Sequence, residues 1–209
     1  MHKSQNDINK TSCKLCDVVK ESLDQGSQTK KYNSKLFETE NFIIIPALGP
    51  LCVGHVMVTS KYHQQNLLSS TKNLWKEYDE IISIVTKINQ KYYSNLLEAE
   101  HGGFENYNSG ACINHTHINL IPNFGNIENI FAKLLTPLQS ASNISDIKSY
   151  NKPYVSIRGN SKNIKIYDGM NLPSQFIRRV IANYLGYNTW EWGKYYKLND
   201  VSKTINLWK

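Results

Sequence analysis

The alternation of polar and apolar positions predicts a chain of short strands with one long helix. Residues 73–93 carry apolar side chains at three- and four-residue steps, which predicts an amphipathic helix packed by one face. A shorter helix is predicted over residues 17–23. Strands are predicted over residues 35–39, 41–45, 55–59 and 96–100. This mixture predicts an α+β fold, with an antiparallel sheet of about five strands and the long helix packed on it.

The segment 112–122 has the most informative pattern, because polar and apolar residues alternate from His115 to Ile121. Alternate residues of a strand point to one side, so His115, His117 and Asn119 are expected to share a face, roughly 6.6 Å apart in succession. Two histidines and an amide on one face are hard to explain by packing. The alternative interpretation is a chance polar face on an edge strand.

The second half of the chain predicts a separate extension. A helix is expected over residues 127–138 and a polar connector over 140–149. A hairpin of strands 154–157 and 164–167 follows, and then a helix over 173–184 with Pro173 in its first turn. The expected organisation is therefore a flexible tail (1–12), a main domain (13–125) and a C-terminal α/β extension (126–209) packed on it.

Composition and charge narrow the class of protein. The 209 residues are 40% hydrophobic and 20% charged, which suits a folded domain with a proper core. The net charge of +7 favours anionic partners, although scattered lysines are also typical of an ordinary solvated surface. Residues 1–12 are polar and lack an apolar signal core, and no segment is apolar enough to cross a bilayer. A cytoplasmic protein without membrane contact is expected.

Four cysteines include a Cys13-x-x-Cys16 pair. In a reduced compartment such a pair is usually a metal half-site or a redox motif, and free core cysteines are a further alternative. His63 and His115 are available as two more ligands, and a Cys2His2 set would close the coordination shell. Zinc bound in this way would be structural.

At this point the chain resembles the histidine-triad superfamily. The matching pieces are CKLC, LFETENFIIIPALGPLCVGHVMVTSKYH, the long helix, and NSGACINHTHINLIP, and together they cover residues 13–122 in the family's order. The resemblance implies a nucleotidyl-accepting nucleophile at His117. In the zinc-containing branch it also implies a metal site of Cys13, Cys16, His63 and His115.

The chain departs from the family's usual pattern at three positions. Asn119 stands where most family hydrolases have a third histidine, and Ala111 and Cys112 replace a glutamine and a serine. The galactose-1-phosphate uridylyltransferase and dinucleoside tetraphosphate phosphorylase branches have glutamine at the third position. An amide cannot exchange protons as a histidine does, so Asn119 resembles these transferase branches.

Further candidates surround the predicted nucleophile. Backbone N–H groups of residues 109–112 and the Asn119 amide are suited to hold phosphate, because negative charge needs fixed donors. His101 is a candidate contact for the leaving group, and a surface histidine is the alternative. The substrate-binding candidates are Asn108, Ser109, Gly110, Ala111, Cys112, Gln175 and Arg178. For Gln175 and Arg178 the alternative is a solvated helix face.

These observations favour an enzyme that acts on nucleotide phosphoanhydrides through a nucleotidyl-His117 intermediate, with a dinucleoside polyphosphate or a nucleotide sugar as substrate. Two other hypotheses stay open. One is a zinc-dependent hydrolase in which His115 and His117 both bind the metal and activate water. The other is a non-catalytic module that binds nucleotide or RNA. A homodimer is possible by resemblance, and a nucleic-acid partner is possible but not favoured.

Overall fold

The computed structural model describes residues 13–23, 34–93, 95–104, 107, 110–111, 113–123, 125–148 and 150–209. Within these residues the chain forms five α-helices: α1 (Lys14–Leu23), α2 (Lys72–Gln90), α3 (Glu128–Leu134), α4 (Phe176–Tyr184) and α5 (Leu198–Asn206). The strands are β1 (Phe37–Glu38), β2 (Phe42–Pro46), β3 (Val56–Ser60), β4 (Leu96–Gly102), β5 (His117–Pro122), β6 (Pro137–Ala141), β7 (Tyr154–Arg158) and β8 (Ile164–Asp168). A short 3-10 helix spans Ile144–Asp146.

The described strands form a single antiparallel sheet in the order β1-β2-β3-β5-β4-β7-β8-β6. The predicted α+β fold with a packed long helix is confirmed. The sheet is larger than the five strands expected, because the hairpin of the extension joins it. β7 pairs with β4, with His101 opposite Val155, so the two halves of the chain share one sheet.

Side-chain alternation gives the sheet two packed faces. On one face, Tyr78, Ile81 and Val85 of α2 pack against apolar residues of β2, β3 and β5, such as Phe42, Val58 and Ile118. The opposite face is covered by α1 over β2 and by α3 and α4 over β4 and β7. Ile118 and Leu120 point to the α2 face. The neighbouring positions His117 and Asn119 therefore point to the face that carries α1 and α4.

Several boundaries differ from the sequence prediction. The helix expected over 127–138 ends at Leu134, and Pro137 opens β6, since proline and the residue before it disfavour helix. The strand expected from residue 112 begins at His117, so His115 precedes it. The last helix, α5, has an amphipathic pattern that the aromatic-rich composition of this region obscured. Residues 1–12, expected to be a flexible tail, lie outside the described residues.

Local chemistry explains the better-predicted elements. α2 begins at Lys72 and ends at Gln90, close to the 73–93 expected from its apolar period. The hairpin of β7 and β8 lies where it was expected, with Val155 paired to Tyr167. Among the described helices, none is long and apolar enough to span a membrane.

Candidate active site and metal centre

A cavity of about 130 Å³ opens on the sheet face opposite α2, between β2, β3, β5, α1 and the start of α4. It brings together five residues predicted from the sequence: His101, His117, Asn119, Gln175 and Arg178. Apolar side chains make up most of the remaining wall: Leu15, Val18, Ile45, Leu48, Met57, Ile113, Phe176, Ile177 and Trp192. An apolar cavity with a few convergent polar groups is typical of a small-ligand site.

His117 is held in one tautomer at the start of β5. Its Nδ1 lies 2.6 Å from the carbonyl oxygen of His115, and a carbonyl can only accept, so Nδ1 carries the proton. The lone pair therefore belongs to Nε2. Burial lowers the pKa of His117 below its usual value. The imidazole is thus neutral and half-buried in the cavity wall, as a nucleophile requires.

Asn119 is oriented by His55, which lies beneath it and is fully buried. The Leu51 N–H donates to His55 Nδ1 at 3.1 Å, so the proton of this imidazole is on Nε2. That N–H donates to Asn119 Oδ1 at 3.1 Å. Burial and the positive charge of Arg178 lower the pKa of His55 to about 3, which keeps it neutral. With its oxygen engaged, Asn119 offers N–H groups, one of them 3.4 Å from the Ala99 carbonyl oxygen.

The extension closes the cavity from one side. The Arg178 guanidinium donates to the Trp190 carbonyl oxygen at 2.8 Å and to the Gly49 carbonyl oxygen. Gln175 has a left-handed backbone (φ +59°) at the start of α4, and its Oε1 accepts from the Trp192 N–H at 3.1 Å. A left-handed residue other than glycine is uncommon and concentrates at functional sites. Through these hydrogen bonds the side chains of Arg178 and Gln175 fix the backbone around the cavity wall.

The predicted phosphate loop is partly described. Gly110 has a φ of +63°, and a Cβ on it would collide with the Leu172 carbonyl oxygen, so the loop rests directly on the extension. Gly110 and Ala111 are not among the residues that line the cavity, whereas Ile113 is. Asn108, Ser109 and Cys112 lie outside the described residues.

A second cluster lies beside the cavity. The sulfur and nitrogen atoms of Cys13, Cys16, His63 and His115 all lie within 4.8 Å of one another. Cys13 Sγ is 3.4 Å from His115 Nδ1, and Cys16 Sγ is 3.5 Å from both His63 Nδ1 and His115 Nδ1. Tetrahedral zinc with its usual bond lengths sets sulfur and nitrogen about 3.5 Å apart. The donor spacing is therefore compatible with zinc.

The protonation chemistry of this cluster fits a cation as well. His115 Nε2 donates to the Ser60 carbonyl oxygen at 2.9 Å, which leaves the Nδ1 lone pair directed at the two sulfurs. Burial and the neighbouring Cys13 raise the pKa of Cys16 to about 11. Burial lowers the pKa of His115 to about 4. Two close thiols and two imidazoles are ligands that suit a bound dication, which would deprotonate the thiols and accept the imidazole lone pairs. Among the described residues, His117 is not part of this cluster.

Sequence reasoning did not select several residues of the cavity. His55 lies beneath the cavity, and its burial and its bond to Asn119 make it a support for the site. Lys14 and Leu48 carried no signal, because they come from separate segments that only tertiary packing brings together.

The comparisons with known proteins agree with the sequence resemblance. The chain matches no family model. It is 25% identical over 119 residues to an uncharacterized HIT-like protein of Borreliella burgdorferi, which covers 54% of this chain and 77% of the relative. The chain thus resembles the histidine-triad superfamily, as the motifs predict.

Two solved structures of that superfamily are also similar. A HIT-family protein of Bacillus subtilis is 22% identical, with a TM-score of 0.42 over 55% of this chain and 75% of the other. A zinc-bound histidine-triad family protein of Mycobacterium smegmatis is 20% identical, with a TM-score of 0.41 over 55% and 78%.

Proposed function

We propose that this protein is an enzyme that breaks a nucleotide phosphoanhydride, or a related bond to a nucleotide phosphate, through a covalent nucleotidyl-His117 intermediate. The observation that carries the proposal is the bond from His117 Nδ1 to the His115 carbonyl oxygen. It fixes a neutral imidazole with its Nε2 lone pair at a cavity.

The chemistry has two steps. His117 Nε2 attacks the α-phosphorus of the nucleotide, an N–P bond forms, and the P–O bond to the leaving group breaks with the electron pair going to oxygen. Water or a phosphate acceptor then attacks the same phosphorus, and the N–P bond breaks to restore the imidazole. Nδ1 keeps its proton throughout, and the His115 carbonyl oxygen stabilises the positive charge on the substituted ring.

Neighbouring groups supply donors and walls. The Asn119 N–H groups, oriented by His55, would hold the phosphate oxygens. His101 is the group available to the leaving group. Gln175 and Arg178 shape the substrate cavity from the extension, since their side chains hold the backbone of Trp192, Trp190 and Gly49.

Zinc bound by Cys13, Cys16, His63 and His115 would link α1 to the approach to β5, a structural role typical of a closed Cys2His2 shell. The residues that this link positions are Lys14, Leu15 and Val18 of the cavity wall, together with the His115 carbonyl oxygen that orients His117.

Asn119 bears on which acceptor, water or phosphate, takes the nucleotidyl group from His117. An amide at this position, without a proton to exchange, suits transfer to phosphate as well as hydrolysis.

The test is to incubate the protein with dinucleoside polyphosphates and nucleotide sugars and to search for a nucleotide adduct by intact-mass spectrometry. We expect an adduct on the wild-type chain and none on His117→Ala. His101→Ala gives a graded comparison, because it removes the imidazole assigned to the leaving group and keeps the nucleophile, so it should slow adduct formation without abolishing it. The mass of the adduct would identify the nucleotide.

Other outcomes would assign the rival functions. Zinc-dependent turnover without any adduct would indicate a metal-activated water. Nucleotide binding that is unchanged in His117→Ala, with no adduct and no turnover, would indicate a binding module.

A further inference from the structure

A second cavity lies on the α2 face of the sheet, away from His117. It is a groove of about 340 Å³ between the second half of α2, the beginning of β4 and the turn that joins β7 to β8, and we call it the α2 groove. Among the described residues, none lines both the α2 groove and the cavity at His117. Sites for small ligands begin at about 300 Å³, so the α2 groove has room for a ligand of monosaccharide size.

The lining of the α2 groove is mostly polar. Its uncharged polar side chains are amides and hydroxyls: Thr86, Asn89, Gln90, Asn95, Ser142 and Asn160. Amides and hydroxyls both donate and accept hydrogen bonds, as the hydroxyl groups of a sugar do. The apolar contribution comes from Ile82 and Leu96. Since no aromatic ring belongs to the described lining, a stacked nucleobase is not favoured there.

Arg158 of β7 supplies a fixed cation to the α2 groove. Its Nε and Nη2 donate to the two carboxylate oxygens of Glu98, each at 2.7 Å, so the guanidinium is held in one orientation. Nη2 also lies 3.8 Å from Asp79 Oδ1. In the part of the chain that the structure describes, these contacts engage Nε and Nη2 and leave the Nη1 N–H groups for a ligand. The planar fork of arginine suits a phosphate group.

Lys162 supplies a second cation from the turn between β7 and β8. It is exposed and has a left-handed backbone (φ +60°), which is uncommon for a residue other than glycine. The turn is held from beneath, because the Asn160 N–H donates to Glu128 Oε1 and Asn160 Nδ2 donates to the Gly125 carbonyl oxygen, both at 2.9 Å. The salt bridges found among the described residues do not include Lys162. Its ammonium group is therefore available to an anionic ligand.

We propose that the α2 groove binds a small phosphorylated sugar or polyol. Arg158 and Lys162 contact its phosphate, and the amides and hydroxyls along α2 and β4 contact its hydroxyl groups. The carboxylate in the groove, that of Glu98, is already neutralised by Arg158, so it does not repel the phosphate. This site does not depend on the proposed function of His117.

The test is isothermal titration calorimetry of the full chain with glucose 6-phosphate, and with glucose and inorganic phosphate as its two halves. Glucose 6-phosphate should bind at least about tenfold more tightly than either half. Lys162→Gln should weaken its binding by about tenfold, the effect of losing one hydrogen bond to a charged group. Thr86→Val with Gln90→Leu should weaken it by about tenfold through two neutral hydrogen bonds, and should leave the affinity for inorganic phosphate unchanged.

The matched control is Lys87→Gln, which makes the same charge change at an exposed position of α2 outside the groove and should leave the affinity unchanged. The inference is overturned if this control weakens binding as much as Lys162→Gln, or if glucose 6-phosphate does not bind at millimolar concentration.

Two further outcomes would also overturn it. Inorganic phosphate that binds as tightly as glucose 6-phosphate would show that charge alone is recognised. Loss of binding in His117→Ala would assign the sugar phosphate to the cavity at His117 instead of the α2 groove. Because the titration needs no turnover, failure to form the His117 adduct would overturn the proposed catalytic function alone.

Discussion

Three neighbouring side chains in or beneath the cavity have hydrogen-bonding states that backbone groups fix, directly or through another side chain. The Leu51 N–H sets the tautomer of His55, His55 sets the orientation of the Asn119 amide, and the His115 carbonyl oxygen sets the tautomer of His117. These hydrogen bonds direct the donors and lone pairs before a ligand binds, so the groups do not have to reorganise. Such preorganisation is a main source of transition-state stabilisation.

Asn119 gives the sharpest prediction at this scale. In Asn119→Asp, a carboxylate oxygen still accepts from His55 Nε2, but the N–H donors are lost and a negative charge faces the phosphate. We expect the rate of adduct formation to fall by about 100-fold, the effect of removing one such donor. The measurement is rapid-quench mass spectrometry of the His117 adduct.

Asn119→Leu separates the two effects, because it removes the donors without adding a charge, and it should be slowed less than the aspartate variant. If Asn119→Asp forms the adduct as fast as the wild type, the amide does not contact the phosphate.

Glu100 of β4 leads to a prediction about pH and stability. Its side chain is 2% exposed on the α2 face, where Oε1 accepts from the Leu67 N–H at 2.9 Å and Oε2 accepts from the Tyr154 hydroxyl. Burial raises its pKa from 4.5 to about 7. In the folded state the carboxyl group is therefore protonated over a pH window in which the unfolded chain ionises it.

The raised pKa means that this group favours the folded state less as pH rises through the window from 4.5 to 7. Relative to Glu100→Gln, the free energy of unfolding of the wild type should fall by about 3 kcal/mol as pH rises through this window. Above the window the difference between the two proteins should stay constant. Urea denaturation of both proteins at several pH values measures this difference. Glu40→Gln, which changes an exposed carboxyl group, is the control. A difference that does not vary with pH would contradict the prediction.

At the scale of elements, two glycines near the cavity make close contacts with the extension. Gly49 contacts the segment between α4 and α5, and Gly110 contacts the loop before α4. A Cβ on Gly49 (φ +61°) would lie 2.6 Å from the Tyr195 carbonyl oxygen and 2.9 Å from Trp192 Cα. Gly110 makes a similar close approach to Leu172. These contacts position the extension relative to β2 and β5, and they leave no room for a side chain.

Gly49→Ala tests this packing, with Gly186→Ala as its matched control. Gly186 also has a positive φ, of +76°, but a Cβ there would meet nothing within 4 Å. The control should lose about 1 kcal/mol from backbone strain alone. Gly49→Ala should lose more, and it should also slow adduct formation, because it displaces Trp192 from the cavity wall. Chemical denaturation and adduct kinetics measure the two effects. Equal losses in both variants would show that the close approach has no energetic weight.

At the scale of the whole molecule, the cysteine–histidine cluster joins segments that are far apart in sequence. Cys13 directly precedes α1 and Cys16 lies in its first turn, His63 belongs to the loop after β3, and His115 to the approach to β5. α1 otherwise packs on the sheet through a small core of Val19 with Ile43 and Ile45. A metal bound at this cluster would therefore hold one wall of the cavity in place.

Chelation tests this role. Removal of zinc should lower the Tm by about 10 °C, the effect of losing a ligand present at roughly a thousand times its Kd. Cys16→Ser should lose the bound zinc, as measured by elemental analysis. Cys52→Ser, a cysteine outside the cluster, should retain it. A zinc-free wild-type protein with an unchanged Tm would contradict the assignment.

The local elements were largely predictable, and their assembly was not. The apolar period of α2, the hairpin of β7 and β8, and the alternation over His117 and Asn119 follow from side-chain spacing alone. The end of α3 and the beginning of β5 were misjudged, because proline and tertiary packing outweighed the local pattern, and the helix α5 was not predicted. The eight-stranded sheet was not predictable, since nothing in the sequence of β4 identifies β7 as its second partner.

The sequence by itself determined the chemical inventory of this protein. It specified an α+β chain with a histidine strand, a CxxC pair and two further histidines suited to zinc, because spacing along a strand or in a half-site needs only local geometry. Only the tertiary structure decided how these groups combine. Contacts between distant segments create the His55–Asn119 bond, the cavity wall at Trp192 and the contact of Lys14 with the Trp192 ring. Only the packing of the whole chain brings such segments together.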